Sequence, residues 1–138
     1  MYRPRLYREG VNRERFHFFK SVLLESDLHI GVSPDSFRPD MHAAVSAEQK
    51  RLYALLDNYF AFHPGFRTSL EPLEIPEKEV PATELQEMMR CGLTTGTGPM
   101  SSVAGLFAMK AGELLMAEYS PREVVVENGG DLWVTNCG

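Results

Sequence analysis

The chain has 138 residues, 43% of them hydrophobic and 24% charged, with a formal net charge of −5. That is about the size of one compact domain with apolar material for a real core, and it excludes wholesale disorder. No apolar run approaches the roughly 20 residues a bilayer span needs, the opening segment lacks a signal peptide's apolar stretch, and neither Cys91 nor Cys137 has CxxC or metal-ligand spacing.

A reduced, cytoplasmic compartment is therefore expected, with no membrane partner. Residues 1–20 carry six basic and two acidic side chains, which raises the question of nucleic acid. Phe16, Phe18 and Phe19 in this strip read as strand residues with a buried face, not as an exposed basic and aromatic platform. A solvated strand face is expected, without nucleic acid. Phe16, Phe18, Lys20 and Val22 share one face of a period-2 pattern, and Leu28, Ile30 and Val32 form a second alternation. Glu25-Ser26-Asp27 between them is a suitable turn, so a hairpin is expected. Residues 33–44 read as a loop punctuated by Ser33-Pro34-Asp35.

Ser46 and Gln49 have capping-box spacing, which predicts a helix start. Leu52, Leu55, Leu56, Tyr59 and Phe60 then repeat at helical spacing, and Pro64 ends the helix by disfavouring helical geometry at His63. His63 is read as a capping or surface histidine, not a ligand. Residues 71–81 hold three prolines among five charged side chains and read as an extended surface segment. A short helix is expected over residues 82–91, with Thr83 as its cap and Leu85, Met88 and Met89 facing inward.

Cys91 to Gly105 is the most informative stretch. Gly92, Gly96 and Gly98 admit positive φ and close approach, and Pro99 suits a first helical turn. The helix that follows is expected to run to about Ala117, with Val103, Phe107, Ala111, Leu114 and Leu115 as its apolar stripe. Its many small residues imply that a backbone or a ligand packs closely against it. A glycine-rich loop feeding a helix N-terminus presents unpaired N–H groups and a positive dipole end. Thr97, Ser101 and Ser102 add hydroxyls, so Gly96, Thr97, Gly98, Met100, Ser101 and Ser102 are candidate phosphate- or carboxylate-binding residues. No Lys-Ser/Thr pair follows, so this is not a P-loop, and a tight turn without any ligand remains open. Glu123–Glu127 and Leu132–Val134 read as strands joined by a turn at Asn128-Gly129-Gly130-Asp131. Those four residues are good turn formers, and their glycines equally allow backbone contact with a flat ligand. Trp133 is expected to be packed.

The order Gly-Thr-Gly-Pro-Met-Ser-Ser-Val-Ala-Gly, helix, Val-Val-Val-Glu-Asn-Gly-Gly-Asp-Leu resembles the ApbE-like superfamily, and within it an uncharacterised cytoplasmic branch. Tyr-Arg pairs near the N-terminus, His63-Pro64-x-Phe66 and Ser69-Leu70-x-Pro72 extend the resemblance over nearly the whole chain. It implies an α+β tunnelling-fold (T-fold) type, with antiparallel sheets packed by helices and a tendency to form homo-oligomers. Characterised members of the superfamily are magnesium-dependent flavin transferases that use FAD and attach FMN to a threonine of a target protein. By position, Gly96–Ser102 and Asn128–Asp131 correspond to their flavin-holding elements.

Three departures qualify that transfer. No lysine lies between Gly92 and Ala108, where the transferases carry Ala-Lys-Gly. Their Asn-Leu-Gly-Gly turn is here Glu127-Asn128-Gly129-Gly130. Their Asp-Ala-x-x-Thr metal element lies downstream of the turn and is absent from these 138 residues. The chain is therefore expected to be the N-terminal portion of a single ApbE-like domain, with Mg²⁺ ligands elsewhere. Flavin transfer in a longer protein, a module binding a small anionic metabolite, and a structural or oligomer-forming role are the functions that follow.

Overall fold

In a computed structural model of the protein, residues 15–135 are described, so the N-terminal Tyr-Arg pairs and Cys137 fall outside the described residues. Among the described residues the architecture is α+β: a four-stranded antiparallel sheet and four α-helices. The strands are β1 (His17–Leu23), β2 (Ser26–Val32), β3 (Val124–Asn128) and β4 (Asp131–Val134), hydrogen-bonded in the order β1-β2-β3-β4. The helices are α1 (Met41–Phe62), α2 (Pro64–Thr68), α3 (Thr83–Thr95) and α4 (Val103–Tyr119). Residues up to Lys50 together with those from Phe107 onward form one compact unit, and Arg51–Leu106 form a second.

In the first unit, β2 and β3 are the central strands. All five residues of β3 are buried, which is why Val-Val-Val is tolerated there without polar alternation. Ile30 pairs with Val126 and Val32 with Val124, so these four side chains share one face with Leu28. All five are fully buried, each contributing about 1.5–3 kcal/mol by leaving water. The register puts His17, Phe19 and Ser21 of β1 on this inner face, opposite Val32, Ile30 and Leu28. On the other face, which holds Phe16, Phe18, Lys20 and Val22, Lys20 and Val22 are exposed and only Phe16 is fully buried.

The reason is a buried polar cluster. Gln49 of α1 accepts a hydrogen bond from Ser21 Oγ (2.6 Å), and its amide donates to Ser21 O (3.1 Å) and Ser26 Oγ (2.9 Å). A serine sits inside because a buried glutamine satisfies it. Gln49 is therefore not a capping-box partner, and α1 begins at Met41, not near Ser46, with Met41 and Val45 already buried. Between β2 and α1, the expected loop shortens to residues 33–40 and contains a 3₁₀ turn at Pro34–Ser36. The hairpin turn is Leu24-Glu25, since Leu23 pairs with Ser26; Leu24 takes the left-handed conformation at φ +54°.

In the second unit, α1 ends at Phe62 as its sequence predicts. His63 N donates to Tyr59 O at 2.7 Å, and Pro64 opens the short α2, which the sequence reading does not anticipate. His63 is half-buried, and its Nδ1 is buried without a hydrogen-bond partner. Phe66 of α2 is fully buried with its ring edge-on to Tyr59, centroids 5.1 Å apart. Residues 71–81 run extended apart from a 3₁₀ turn at Glu77–Glu79. Leu85, Met88 and Met89 of α3 are buried as expected. Thr83 does not cap that helix: Ala82 holds the cap position, with no side-chain hydrogen bond.

Candidate functional site

Helix α3 runs past Cys91 through Gly92 to Thr95, where a loop was expected. Threonines persist in this last turn because their hydroxyls bond back to it: Thr94 Oγ1 donates to Arg90 O (3.0 Å) and Thr95 Oγ1 to Cys91 O (2.9 Å). Gly96 ends the helix in the left-handed conformation at φ +74°, and Thr97 N closes the cap on Gly92 O at 3.0 Å. Gly98 then leads into a 3₁₀ turn, Pro99–Ser102, which passes into α4.

The three glycines of this segment have different reasons. Only Gly96 has a positive φ, and open space lies where its side chain would be. A Cβ on Gly92 would lie 2.5 Å from Thr97 O, and one on Gly98 would lie 1.8 Å from Ser69 O. Two of the three are therefore required by backbone packing within the protein. Ser69 is a residue that spacing could not have connected to this segment; its own Oγ donates to Glu71 O at 2.7 Å and turns the chain there.

Thr97 and Ser101 come together in a hydroxyl chain. Thr97 Oγ1 lies 2.6 Å from Thr95 Oγ1 and 2.8 Å from Ser101 Oγ. Because Thr95 spends its proton on Cys91 O, Thr97 donates to Thr95 and Ser101 to Thr97. The chain is closed as a donor, but its lone pairs and the exposed Ser101 remain accessible. Ser102 Oγ donates back to Pro99 O at 3.3 Å, and Met100 is half-buried. Arginines of this unit are engaged elsewhere. Arg51 pairs with Glu84 (2.9 Å), Arg90 pairs with Glu77 (2.6 Å), and Arg67 lies over the Phe60 ring (5.7 Å). An anion at the helix start would be held by backbone N–H groups, hydroxyls and the dipole, each a modest contributor.

In the first unit, the Asn128–Asp131 turn forms as its residues predict. Asn128 pairs with Asp131, and Gly129 and Gly130 adopt φ +59° and +97°, a two-residue turn of type I′. Both glycines are exposed, with nothing within 4 Å of where a side chain would stand. Asp131 is exposed and Asn128 is buried, with Asn128 Oδ1 accepting from Asp27 N at 3.4 Å. Beneath the turn lies Glu127, a buried carboxylate only 5% exposed, which accepts from Gly130 N at 3.0 Å. Its place after three buried valines was the available signal. Trp133 does not present its ring to a ligand there: it packs flat against α4 at Gly112.

Among the described residues, no three His, Cys, Asp or Glu side chains converge in a way that could hold a metal ion. No helix among them is long and apolar enough to cross a membrane.

A protein-family model described as "AbpE bacteria" matches residues 8–137. The chain is similar to the UPF0280 protein of Methanosarcina barkeri, 37% identical over 97 residues, which are 69% of this chain and 37% of that protein. It is also similar to a UPF0280 protein of Methanococcus maripaludis strain C5, 38% identical over 112 residues, covering 81% of this chain and 40% of the relative. The Archaeoglobus fulgidus UPF0280 protein is 35% identical over 77 residues, 56% of this chain and 31% of its own length. The chain thus spans well under half the length of these curated relatives.

Proposed function

The chain belongs to the AbpE bacteria family, and from that premise we propose that it supplies phosphate- and ring-facing elements of an ApbE-like protein that binds a flavin nucleotide, FAD or FMN, or a related phosphorylated ligand. The single observation that carries this reading is the start of α4. There, Gly96 opens the backbone, the Pro99–Ser102 turn leads into the helix, and the Thr97 and Ser101 hydroxyls lie 2.8 Å apart. A phosphoryl group would be held here by the positive end of the helix and by Ser101, the exposed end of the hydroxyl chain, once its proton turns from Thr97 to the anion. Considered by itself, the Asn128-Gly129-Gly130-Asp131 turn of the other unit leaves open space over both glycines, where a ring could meet the backbone. In the characterised proteins that it resembles, the corresponding activity is Mg²⁺-dependent FMN transfer from FAD; the described residues of this chain do not fit a magnesium site.

The test is direct. The protein is incubated with FAD, FMN or riboflavin, with and without Mg²⁺, and bound flavin and released AMP are measured. Retention of FMN over riboflavin and AMP release from FAD are expected; neither bound flavin nor AMP would sink the reading.

A second reading, a module that holds a small anionic metabolite without transfer, is favoured by the absence of lysine from Gly92 to Ala108. A thermal-shift screen in which a non-flavin anion stabilises the protein and FMN does not would select it.

A further inference from the structure

The Arg51–Leu106 unit carries an open groove of about 380 Å³ that none of the candidate residues above lines. That volume lies in the range of small-molecule sites. One side of α1 supplies Leu55, Asn58, Tyr59 and Phe62, at spacings of three, four and seven residues, and Glu79 and Leu85 contribute to the remaining wall. Phe62 is 81% exposed although it belongs to this apolar stripe, and its ring stacks with that of Tyr59, centroids 6.2 Å apart.

The electrostatics of the groove are one-sided. Neighbouring carboxylates are neutralised, Glu77 by Arg90 and Glu84 by Arg51. Glu79 lines the groove and forms no ion pair among the described residues. Burial, and secondarily the negative charge of Glu79, push the Tyr59 phenol above its ordinary value, so the ring is kept neutral and within electrostatic reach of that carboxylate. An apolar trough with aromatic walls and one uncompensated carboxylate is complementary to a cation on an apolar stem.

We propose that this groove binds a small organic ammonium, an aliphatic or aromatic amine, with Glu79 as counter-ion and the Tyr59 and Phe62 rings as its apolar and cation–π contacts. The positive charge sits against the carboxylate, and the stem displaces water from Leu55 and Phe62. The site is independent of the phosphate reading, since it uses different residues and takes the opposite charge.

The full 138-residue chain is titrated with hexylammonium, hexanol and hexanoate by NMR chemical-shift mapping. Affinity is expected on the order of millimolar, as suits a fragment-sized probe. The ammonium should bind about threefold to tenfold tighter than the alcohol, and hexanoate weakest. Glu79→Gln should erase the preference for ammonium over alcohol while leaving the melting curve unchanged, because Glu79 is exposed and only its backbone takes part in the turn. Phe62→Ala should weaken both probes. Should either variant fail to fold, added salt provides the same test in the parent, where it should reduce the ammonium preference alone. Equal binding of ammonium and alcohol, no ammonium binding at millimolar concentration, or a preference that survives Glu79→Gln would overturn the proposal. A lysine-bearing peptide that binds tighter than hexylammonium would overturn the small-molecule assignment in favour of a protein partner.

Discussion

Gly112→Ala tests the packing of α4 on the sheet. In a solvated helix this change stabilises by about 1 kcal/mol, because alanine is the better helix former. Here a Cβ would lie 2.0 Å from Trp133 Cε3, 2.1 Å from Cζ3 and 2.8 Å from Cδ2. Carbon atoms in contact prefer about 3.5–4.0 Å, so the ring must retreat by about 1.5 Å or the helix must shift. An indole on a paired strand is not the loose end of a flexible side chain, and Trp133 pairs in register with Val126 of the central strand. Overpacking typically costs 1–3 kcal/mol, and a displacement this large belongs at the upper end. Subtracting the helix-propensity gain leaves a net loss of about 2 kcal/mol.

Trp133 is the chain's single tryptophan, so its fluorescence reports on the contact directly. Urea unfolding followed by fluorescence and by far-UV circular dichroism should show the midpoint falling by about 1 M with an unchanged slope. In a Trp133→Val background, Gly112→Ala should instead be neutral or stabilising, giving a coupling energy of about 2–3 kcal/mol. If Gly112→Ala matches the parent in stability, or costs as much with valine at 133, the packing account of the small residues in α4 is wrong.

Gln49→Ala removes a fully buried side chain and strands the Ser21 and Ser26 hydroxyls, so unfolding by urea should show a loss of about 2–4 kcal/mol. Gly98→Ala should destabilise by at least about 2 kcal/mol whether or not a nucleotide binds, because its Cβ meets the Ser69 carbonyl, which is backbone and cannot rotate away; a differential-scanning melt of ligand-free protein reads this. Tyr59 and Tyr119 should ionise above the ordinary value of 10.0, Tyr59 through burial and then Glu79, Tyr119 through burial and then its hydrogen bond to Asp40. A folded-state pKa raised above the unfolded one gives stability that is complete below pH 10 and lost as pH rises through the folded value. Absorbance at 295 nm during alkaline titration should therefore show late-ionising tyrosine, and Tyr59→Phe should reduce that late component.

What the sequence revealed of the fold divides by range. The β3–β4 turn was legible because Asn-Gly-Gly-Asp demands positive φ locally, and the end of α1 was legible because a proline acts on its immediate neighbour. The orientation of β1 was not. A period-2 pattern identifies two faces without saying which is inner, and the decision rests on Gln49, 28 residues away from Ser21. That same glutamine imitated a capping box from Ser46 and drew the expected helix start six residues late, past the buried Met41 and Val45. Of the candidate site, the hydroxyls and the open turn glycines were readable as residue types. The closed direction of the hydroxyl chain was not, because it depends on α3 continuing to Thr95.

Glycine density alone therefore overstates how much backbone the Gly92–Gly98 segment leaves for a ligand. Gly92 and Gly98 are fixed by carbonyls of the protein itself, Thr97 O and Ser69 O, and loss of binding after substituting either would follow from misfolding as readily as from a lost contact. Gly96 and Ser101 are different. Gly96 faces open space and Ser101 is exposed, so Ser101→Ala removes one hydroxyl without a clash. It also frees Thr97 Oγ1 from the proton it accepts, leaving an additional lone pair beside the helix start. An anion binds donors, not lone pairs, and the exposed Ser101 can turn its proton from Thr97 to a phosphate, so a phosphate at this position would be weakened by that change while the fold is untouched. The residues that mark this segment most visibly in the sequence hold it together; the less conspicuous serine is where its chemistry can be read separately.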